Sequence, residues 1–228
     1  MKLLFFTYLL LIPVVYADYI DHPDSKKIMQ ELVEIHGFEK SYVEDVFKNA
    51  TKQQKIIDSI SKPAEFTWTW ERYKKLFIED KRIRNGKKFI KQNIDTLNRA
   101  EQEFGVPKEI IVSILGVETR YGKIMGSYRV IDSLTTLGFD YPRRSAFFKD
   151  ELIKFFLLTR ENNLDIYSIK GSYAGAMGYG QFISSSYRAY AVDFDGDDNV
   201  DLFNSVDDAI GSIANYLKVH GWKKNGKI

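Results

Sequence analysis

The chain has 228 residues, of which 44% are hydrophobic and 28% charged, a composition that excludes a disordered or fibrous protein and can bury one good core. Its 33 lysines and arginines against 31 acids give a net charge of +2, too balanced for nucleic acid to be the main partner, since phosphate-backbone binding needs a concentrated basic surface. Without any cysteine, disulfides and thiolate metal sites are excluded and stability must come from packing.

In chain order, Lys2 precedes an apolar run broken at Pro13 and ending in Val15-Tyr16-Ala17, the layout of a signal peptide. A membrane anchor is the alternative, but crossing the hydrocarbon core takes roughly 20 apolar residues and this run is shorter. Cleavage after Ala17 is expected, with no cysteine behind it for lipid attachment, leaving residues 18–228 as one exported domain. Helical spacing then dominates. Ser25 is the expected cap of a helix carrying Ile28, Leu32 and Ile35 before Gly37, and further stripes run over Tyr42 to Phe47 and Ile56 to Ile60. The crowded aromatics Trp68, Trp70 and Tyr73 suit either a carbohydrate cleft or a core, with core the default at the two tryptophans. Ile90, Ile94, Leu97 and Phe104 form one more stripe, ended by Gly105.

Proline and acid in Val106-Pro107-Lys108-Glu109 open a helix through Ile110, Ile111, Ile114, Leu115 and Val117, with Gly122 as terminator. Later helices are expected from Ser145 to Arg160 and from Ser205, where Asp208 resembles the second half of a capping box, to Gly221.

Three groups of residues could carry chemistry. Glu118 lies four residues after Ile114 and seven after Ile111, so helical geometry puts its carboxyl on the apolar stripe, where desolvation raises the pKa as a general acid requires. A structural glutamate paired with Arg120 or a later arginine fits the spacing equally well. The segment GSYAGAMGYGQF, residues 171–182, surrounds Ser172, Tyr173, Tyr179 and Gln181 with small residues, allowing either close ligand approach or tight packing. In DFDGDDNVDLFNSVD, Asp193, Asp195 and Asp197 take positions 1, 3 and 5 of a cation loop and Asn199 offers a carbonyl at position 7, a donor set for a hard cation such as Ca2+. The loop departs from an EF-hand at Asp198, where glycine is usual, and at Asn204, where glutamate closes the site; Asp207 is the best substitute, and a metal-free acidic turn is the alternative. The three histidines are scattered without ligand pairing and no GxSxG elbow occurs, which disfavours transition-metal and serine chemistry.

The stretch GVETRYGKIMGSYRVIDSLTTLGFDYPRR together with KGSYAGAMGYGQFISSSYRAYAVDFDGD resembles the membrane-bound lytic transglycosylase B family of bacterial cell-wall enzymes, from about Tyr19 to the end and most densely from Gly105 onward. The resemblance implies a mainly α, lysozyme-like fold with a small EF-hand-like calcium loop. It also implies cleavage of the β-1,4 bond between N-acetylmuramic acid and N-acetylglucosamine of peptidoglycan, giving a 1,6-anhydro product. By motif, Glu118 becomes acid and then base, and Ser172 and Gln181 hold the sugar. Arg143 and Arg144 meet the anionic, peptide-bearing side of the substrate, and Tyr73 is a cleft tyrosine. Asp193, Asp195, Asp197, Asn199 and Asp207 become structural Ca2+ ligands. Whether Asp132, Asp140 or Asp165 serves as a second carboxylate stays open. Family members continue past Gly221-Trp222 into a segment that returns to the cleft, so the catalytic domain over 18–228 is expected to lack that tail.

The reading is thus a periplasmic, monomeric lytic transglycosylase without an organic cofactor, for which cell-wall synthesis or division proteins are candidate partners. A hydrolytic muramidase, a non-catalytic peptidoglycan binder and a plain calcium module are the alternatives.

Overall fold

The computed structural model describes residues 19–61, 69–224 and 226. The leader over 1–17 and Trp68 lie outside these. The order is α1 (Ser25–Glu34), α2 (Lys40–Asn49), α3 (Gln54–Ser61), α4 (Trp70–Phe77), α5 (Asp80–Gln92), α6 (Ile94–Phe104), α7 (Lys108–Thr119), β1 (Tyr128–Arg129), α8 (Val130–Asp140), a single 3-10 turn (Pro142–Arg144), α9 (Ser145–Glu161), β2 (Lys170–Gly171), α10 (Ser184–Tyr190) and α11 (Val206–Val219). The mainly helical expectation holds. No helix among the described residues is long and apolar enough to cross a membrane.

The centre is α8 against α9. Residues Val130 to Phe139 of α8 are all buried, as are Phe148, Phe155 and Phe156 of α9. The polar side chains of α8 are satisfied internally, as burial demands. Asp132 takes Arg129 on both oxygens, at 2.7 and 2.8 Å, and the Thr51 amide at 2.8 Å; Thr136 Oγ1 accepts from the Gln53 amide. Such a helix shows no polar face, and so no period marked it in the sequence.

Several expectations are corrected. Ser25 is the first residue of α1 rather than its cap, its hydroxyl bonding the His22 carbonyl at 2.7 Å. Ile35, one residue past α1, is 74% exposed because the chain turns out there toward Gly37. The stripe from Ile90 to Phe104 is two helices: at Asn93 the side-chain amide and the backbone N–H both go to the Phe89 carbonyl, and φ of −123° ends α5. Trp70 is 71% exposed, not core, for α4 buries no residue and its aromatics pack on one another, Trp70 stacked on Tyr73 and Tyr73 tilted against Phe77. Helix α7 stops at Thr119, ahead of Gly122, with Arg120 in the left-handed region.

Other expectations hold. Helix α9 begins at Ser145, and α11 is capped by Ser205, whose hydroxyl accepts from the Asp208 amide at 3.1 Å. The reciprocal half of that capping box is absent, because the Asp208 carboxylate is committed to the loop before α11.

Candidate active site

The end of α7 is built to place Glu118 beside the glycine-rich segment. Left-handed backbone at Arg120 and Tyr121, φ of 53° and 63°, folds the chain back so that the Tyr121 ring wedges between α5 and α7. Only glycine fits there: a Cβ at Gly116 would stand 2.6 Å, and one at Gly86 2.7 Å, from the Tyr121 hydroxyl oxygen. That hydroxyl donates to the Arg82 carbonyl at 2.9 Å. Thr119, fully buried, then ties two walls together: its hydroxyl donates to the Tyr179 carbonyl at 2.9 Å and accepts from the Gly122 amide at 2.9 Å. Tyr179 packs against Gly122, where a Cβ would fall 1.9 Å from its ring. The ETRYG and GYGQF motifs are therefore one interlocked unit.

The antiparallel pair β1 and β2, with Tyr128 opposite Gly171, anchors the other end of the segment, and bridges from Gly171 to Met177 and from Met177 to Phe182 fold it into a compact loop. Gln181, at φ of 51°, donates its side-chain amide to the carbonyls of Gly178 at 3.0 Å and Met125 at 3.2 Å. Its carbonyl oxygen accepts no hydrogen bond among the described residues.

A cleft of about 380 Å³ results, lined by Ile114 and Glu118 of α7, Gly180 to Ile183, Ser186 of α10, and Ile213, Tyr216 and Leu217 of α11. Glu118 is its only acid among the described residues. The side chain opens to solvent at the cleft mouth rather than sitting inside the core, yet desolvation by the apolar walls pushes its pKa up. The structural-glutamate alternative fails: Arg120 pairs with Glu79 at 3.1 Å, and Glu118 makes no ion pair or hydrogen bond among the described residues. Candidates for a second carboxylate are engaged elsewhere, Asp132 with Arg129, Asp140 with Lys52 and Tyr19, and Asp165 with the Tyr167 amide.

The remaining candidates stand apart from this cleft. Ser172 does not line it; its hydroxyl oxygen accepts from the amides of Ala174 and Ala176, leaving its own hydrogen free to donate. Arg143 and Arg144 are exposed on the 3-10 turn between α8 and α9, and Arg144 lies over the Phe147 ring at 4.2 Å. Tyr73 is on α4.

In the acidic loop, Asp193, Asp195 and Asp197 bring carboxylate oxygens within 4.8 Å of one another, an arrangement of hard donors suited to Ca2+. Burial works against ionised Asp193, but the amides of Gly196, Asp198 and Asp197 bond its carboxylate and hold its pKa below the ordinary value. Asp198 takes φ of 66°, the conformation glycine supplies in an EF-hand and one that aspartate tolerates. Asn199 sits at the far end, its amide bonding Asp197 at 2.9 Å. Asp207 falls outside the carboxylate triad; it accepts from Thr96 and shares a neighbouring pocket with Asp195, Asp95 and Arg99.

Sequence reasoning missed Asp208 as the brace of this loop. It is 1% exposed, and its two oxygens accept from the amides of Phe194 at 2.7 Å and Asp201 at 2.8 Å. Its place on the buried α11 face shared with Gly211 and Ser212, three and four residues on, was the available signal.

Comparison with known proteins gives a consistent set. Residues 21–228 match the family described as the transglycosylase SLT domain. The chain is 43% identical over 221 residues to membrane-bound lytic murein transglycosylase B of Escherichia coli, covering 93% of this chain and 61% of that protein. It therefore spans under two thirds of that relative's length. The solved structure of the E. coli lytic transglycosylase Slt35 in complex with calcium superimposes with a TM-score of 0.88 at 43% identity, over 93% of this chain and 67% of that one. SltB3 of Pseudomonas aeruginosa, solved in complex with NAG-anhNAM-pentapeptide, gives a TM-score of 0.80 at 30% identity, over 89% and 54% of the two chains. These neighbours share the mainly helical, lysozyme-like fold.

Proposed function

Because the chain belongs to the transglycosylase SLT domain family, we propose that it is an exported lytic transglycosylase that cleaves the β-1,4 bond between N-acetylmuramic acid and N-acetylglucosamine in peptidoglycan. The observation that carries this reading is Glu118, the one acid lining a cleft with apolar walls, free of ion pairs among the described residues and raised in pKa by desolvation. Hydrolysis by the usual route needs two carboxylates flanking the bond. A single carboxyl suits a reaction in which the substrate supplies its own nucleophile.

In that reaction Glu118 begins protonated and gives its proton to the glycosidic oxygen as the bond from C1 breaks. The muramyl 6-hydroxyl then attacks C1, and the Glu118 carboxylate takes the hydroxyl proton, so the acid is regenerated and the product closes as a 1,6-anhydro ring. The raised pKa favours the protonated state that starts the cycle. Gln181 offers its free carbonyl oxygen to the sugar in the cleft, and Ser172 its hydroxyl hydrogen to the part of the strand that runs past the cleft. Tyr73, Arg143 and Arg144 would meet parts of the polymer beyond the cleft. Murein and anhydromuramyl peptide in the names and complexes of the relatives support the same substrate.

Asp193, Asp195 and Asp197 would hold Ca2+ with the Asn199 carbonyl, and Asp207 would complete the set after releasing Thr96. The cation would tie the loop following the glycine-rich segment to α11; its ligands include no group of the cleft, so its role is structural. The calcium complex of Slt35 supports this assignment. Residues 1–17 are proposed as the cleaved leader that delivers the chain to the periplasm.

The test is reductive labelling of soluble fragments released from purified peptidoglycan. Transglycosylase products lack a reducible muramyl end and stay unlabelled; quantitative labelling there would indicate a muramidase, and no fragments would indicate a binder.

A further inference from the structure

A second cavity, of about 360 Å³, opens on the other side of α7, between that helix and α5. Phe77, Ile78, Ile83, Ile90, Val112 and Val117 make its walls largely apolar. Arg82 lines it, only 8% exposed, with Nε and Nη1 both buried and without a hydrogen-bond partner among the described residues. The nearest acid does not satisfy it: Glu79 Oε1 lies 3.8 Å from Nε, outside hydrogen-bonding reach, and is bonded to Arg120 at 3.1 Å. Among the described residues Arg82 thus keeps only a long ion pair to Glu79, and buried N–H groups of a guanidinium without hydrogen-bond partners are costly for a fold to keep, which makes the site a candidate for a ligand that completes them.

The chemistry of the walls narrows the ligand. Hydrocarbon around one guanidinium suits a monoanion with an apolar body. Glu109 in the lining and Glu79 beside it offset Lys87 and Arg120, so a polyanion would meet repulsion. Val117 lines this cavity and its neighbour Glu118 lines the cleft, which places the two openings on adjacent faces of the last turn of α7.

We propose that the Arg82 cavity is a binding subsite for a carboxylate of the peptide borne by the glycan, engaged while the glycosidic bond lies at Glu118. The proposal rests on the peptidoglycan reading given above. An extended peptide reaches about 3.3 Å per residue, so the first few residues of a stem peptide span the turn between the two openings. The Arg82 guanidinium then gains the hydrogen-bonded acceptor it lacks, and the acyl side chains of the peptide cover the apolar walls.

The test uses the full exported chain with Glu118→Gln, which arrests turnover, and two ligands: glycan strands carrying their peptides, and the same strands stripped of peptide by an amidase. Binding of stripped strands depends only on the cleft. Peptide-bearing strands are expected to bind about tenfold tighter or more, the effect of one charge-assisted contact. Adding Arg82→Met, which keeps the volume and removes the guanidinium, should lower the ratio about tenfold, to whatever Arg143 and Arg144 contribute, without lowering the melting temperature or the affinity for stripped strands. Ile83→Glu, which puts a competing carboxylate on the cavity wall, should lower the ratio by the same factor. A ratio near one in the parent, or one that survives both substitutions, overturns the subsite while leaving the function reading intact. If stripped strands do not bind at all, the function reading falls and the subsite with it.

Discussion

Thr119→Val removes one oxygen at nearly constant volume and isolates what the Thr119 hydroxyl contributes. In the parent, that oxygen serves the Tyr179 carbonyl and the Gly122 amide, both at 2.9 Å, in a fully buried position. Valine strands an acceptor and a donor together, each costing about 1–3 kcal/mol when left unsatisfied in a protein interior. With partial relaxation, the loss is expected at about 3 kcal/mol. In a domain of this size each kcal/mol moves the melting temperature by roughly 2–4 °C, so the midpoint should fall by about 6–12 °C. Thr119→Ser keeps the oxygen and deletes one methyl, about 1 kcal/mol. Turnover at a temperature where both variants are folded should fall in the valine form, since the wall carrying Gln181 is released from the helix carrying Glu118 and small misplacements cost large factors. Urea denaturation of the three proteins, paired with initial rates on peptidoglycan, measures both effects. A valine variant within about 0.5 kcal/mol of the parent, or a serine variant no better than valine, would refute the coupling of the two motifs through Thr119.

Glu118→Gln should stabilise the fold at neutral pH. Desolvation raises the folded-state pKa of Glu118, so the parent loses stability as pH climbs through the ordinary glutamate range toward the raised value; the gain in melting temperature should be present at pH 7 and vanish below about pH 4, where both states are protonated. Calcium should raise the melting temperature of the parent by mass action, about 2.7 kcal/mol at a hundredfold excess over Kd, and Asp195→Asn should remove most of the shift. An unchanged midpoint with calcium and with chelator would contradict the cation loop. Asp208→Asn should cost about 1–3 kcal/mol by urea denaturation, because an amide has one acceptor oxygen where two backbone amides, of Phe194 and Asp201, now bond the carboxylate. A neutral substitution would mean the loop is braced by other groups.

What could be read in the sequence was what is local. The proline at the cap of α7, the acid in its first turn, the Ser205 cap and the alternating acids of the loop each act within a few residues, and the structure shows the helix start, the cap and the clustered acids. Glu118 was legible as an acid on an apolar stripe, but the same spacing allowed an arginine partner, and only the Arg120–Glu79 pair resolves that choice. Long-range packing hid the rest. The apolar period ran straight through Asn93 because the residues on both sides face the same core, while the break is made by a side-chain bond to Phe89. Helix α8 was invisible because every face is buried, and its polar residues are satisfied by Tyr19, Thr51 and Gln53 from far along the chain. Trp70 looked like core from composition, whereas α4 buries none of its residues and leaves Trp70 71% exposed. The wedge of Tyr121 between Gly86 and Gly116 joins positions thirty residues apart.

The central claim is that Glu118 alone performs both proton transfers on peptidoglycan. Mass spectrometry of the soluble fragments released by the exported chain and by its Glu118→Gln form tests it most directly. The account predicts 1,6-anhydromuramyl fragments from the first and none from the second; anhydro fragments that persist without the carboxyl, or fragments carrying one added water at the muramyl end, would contradict it.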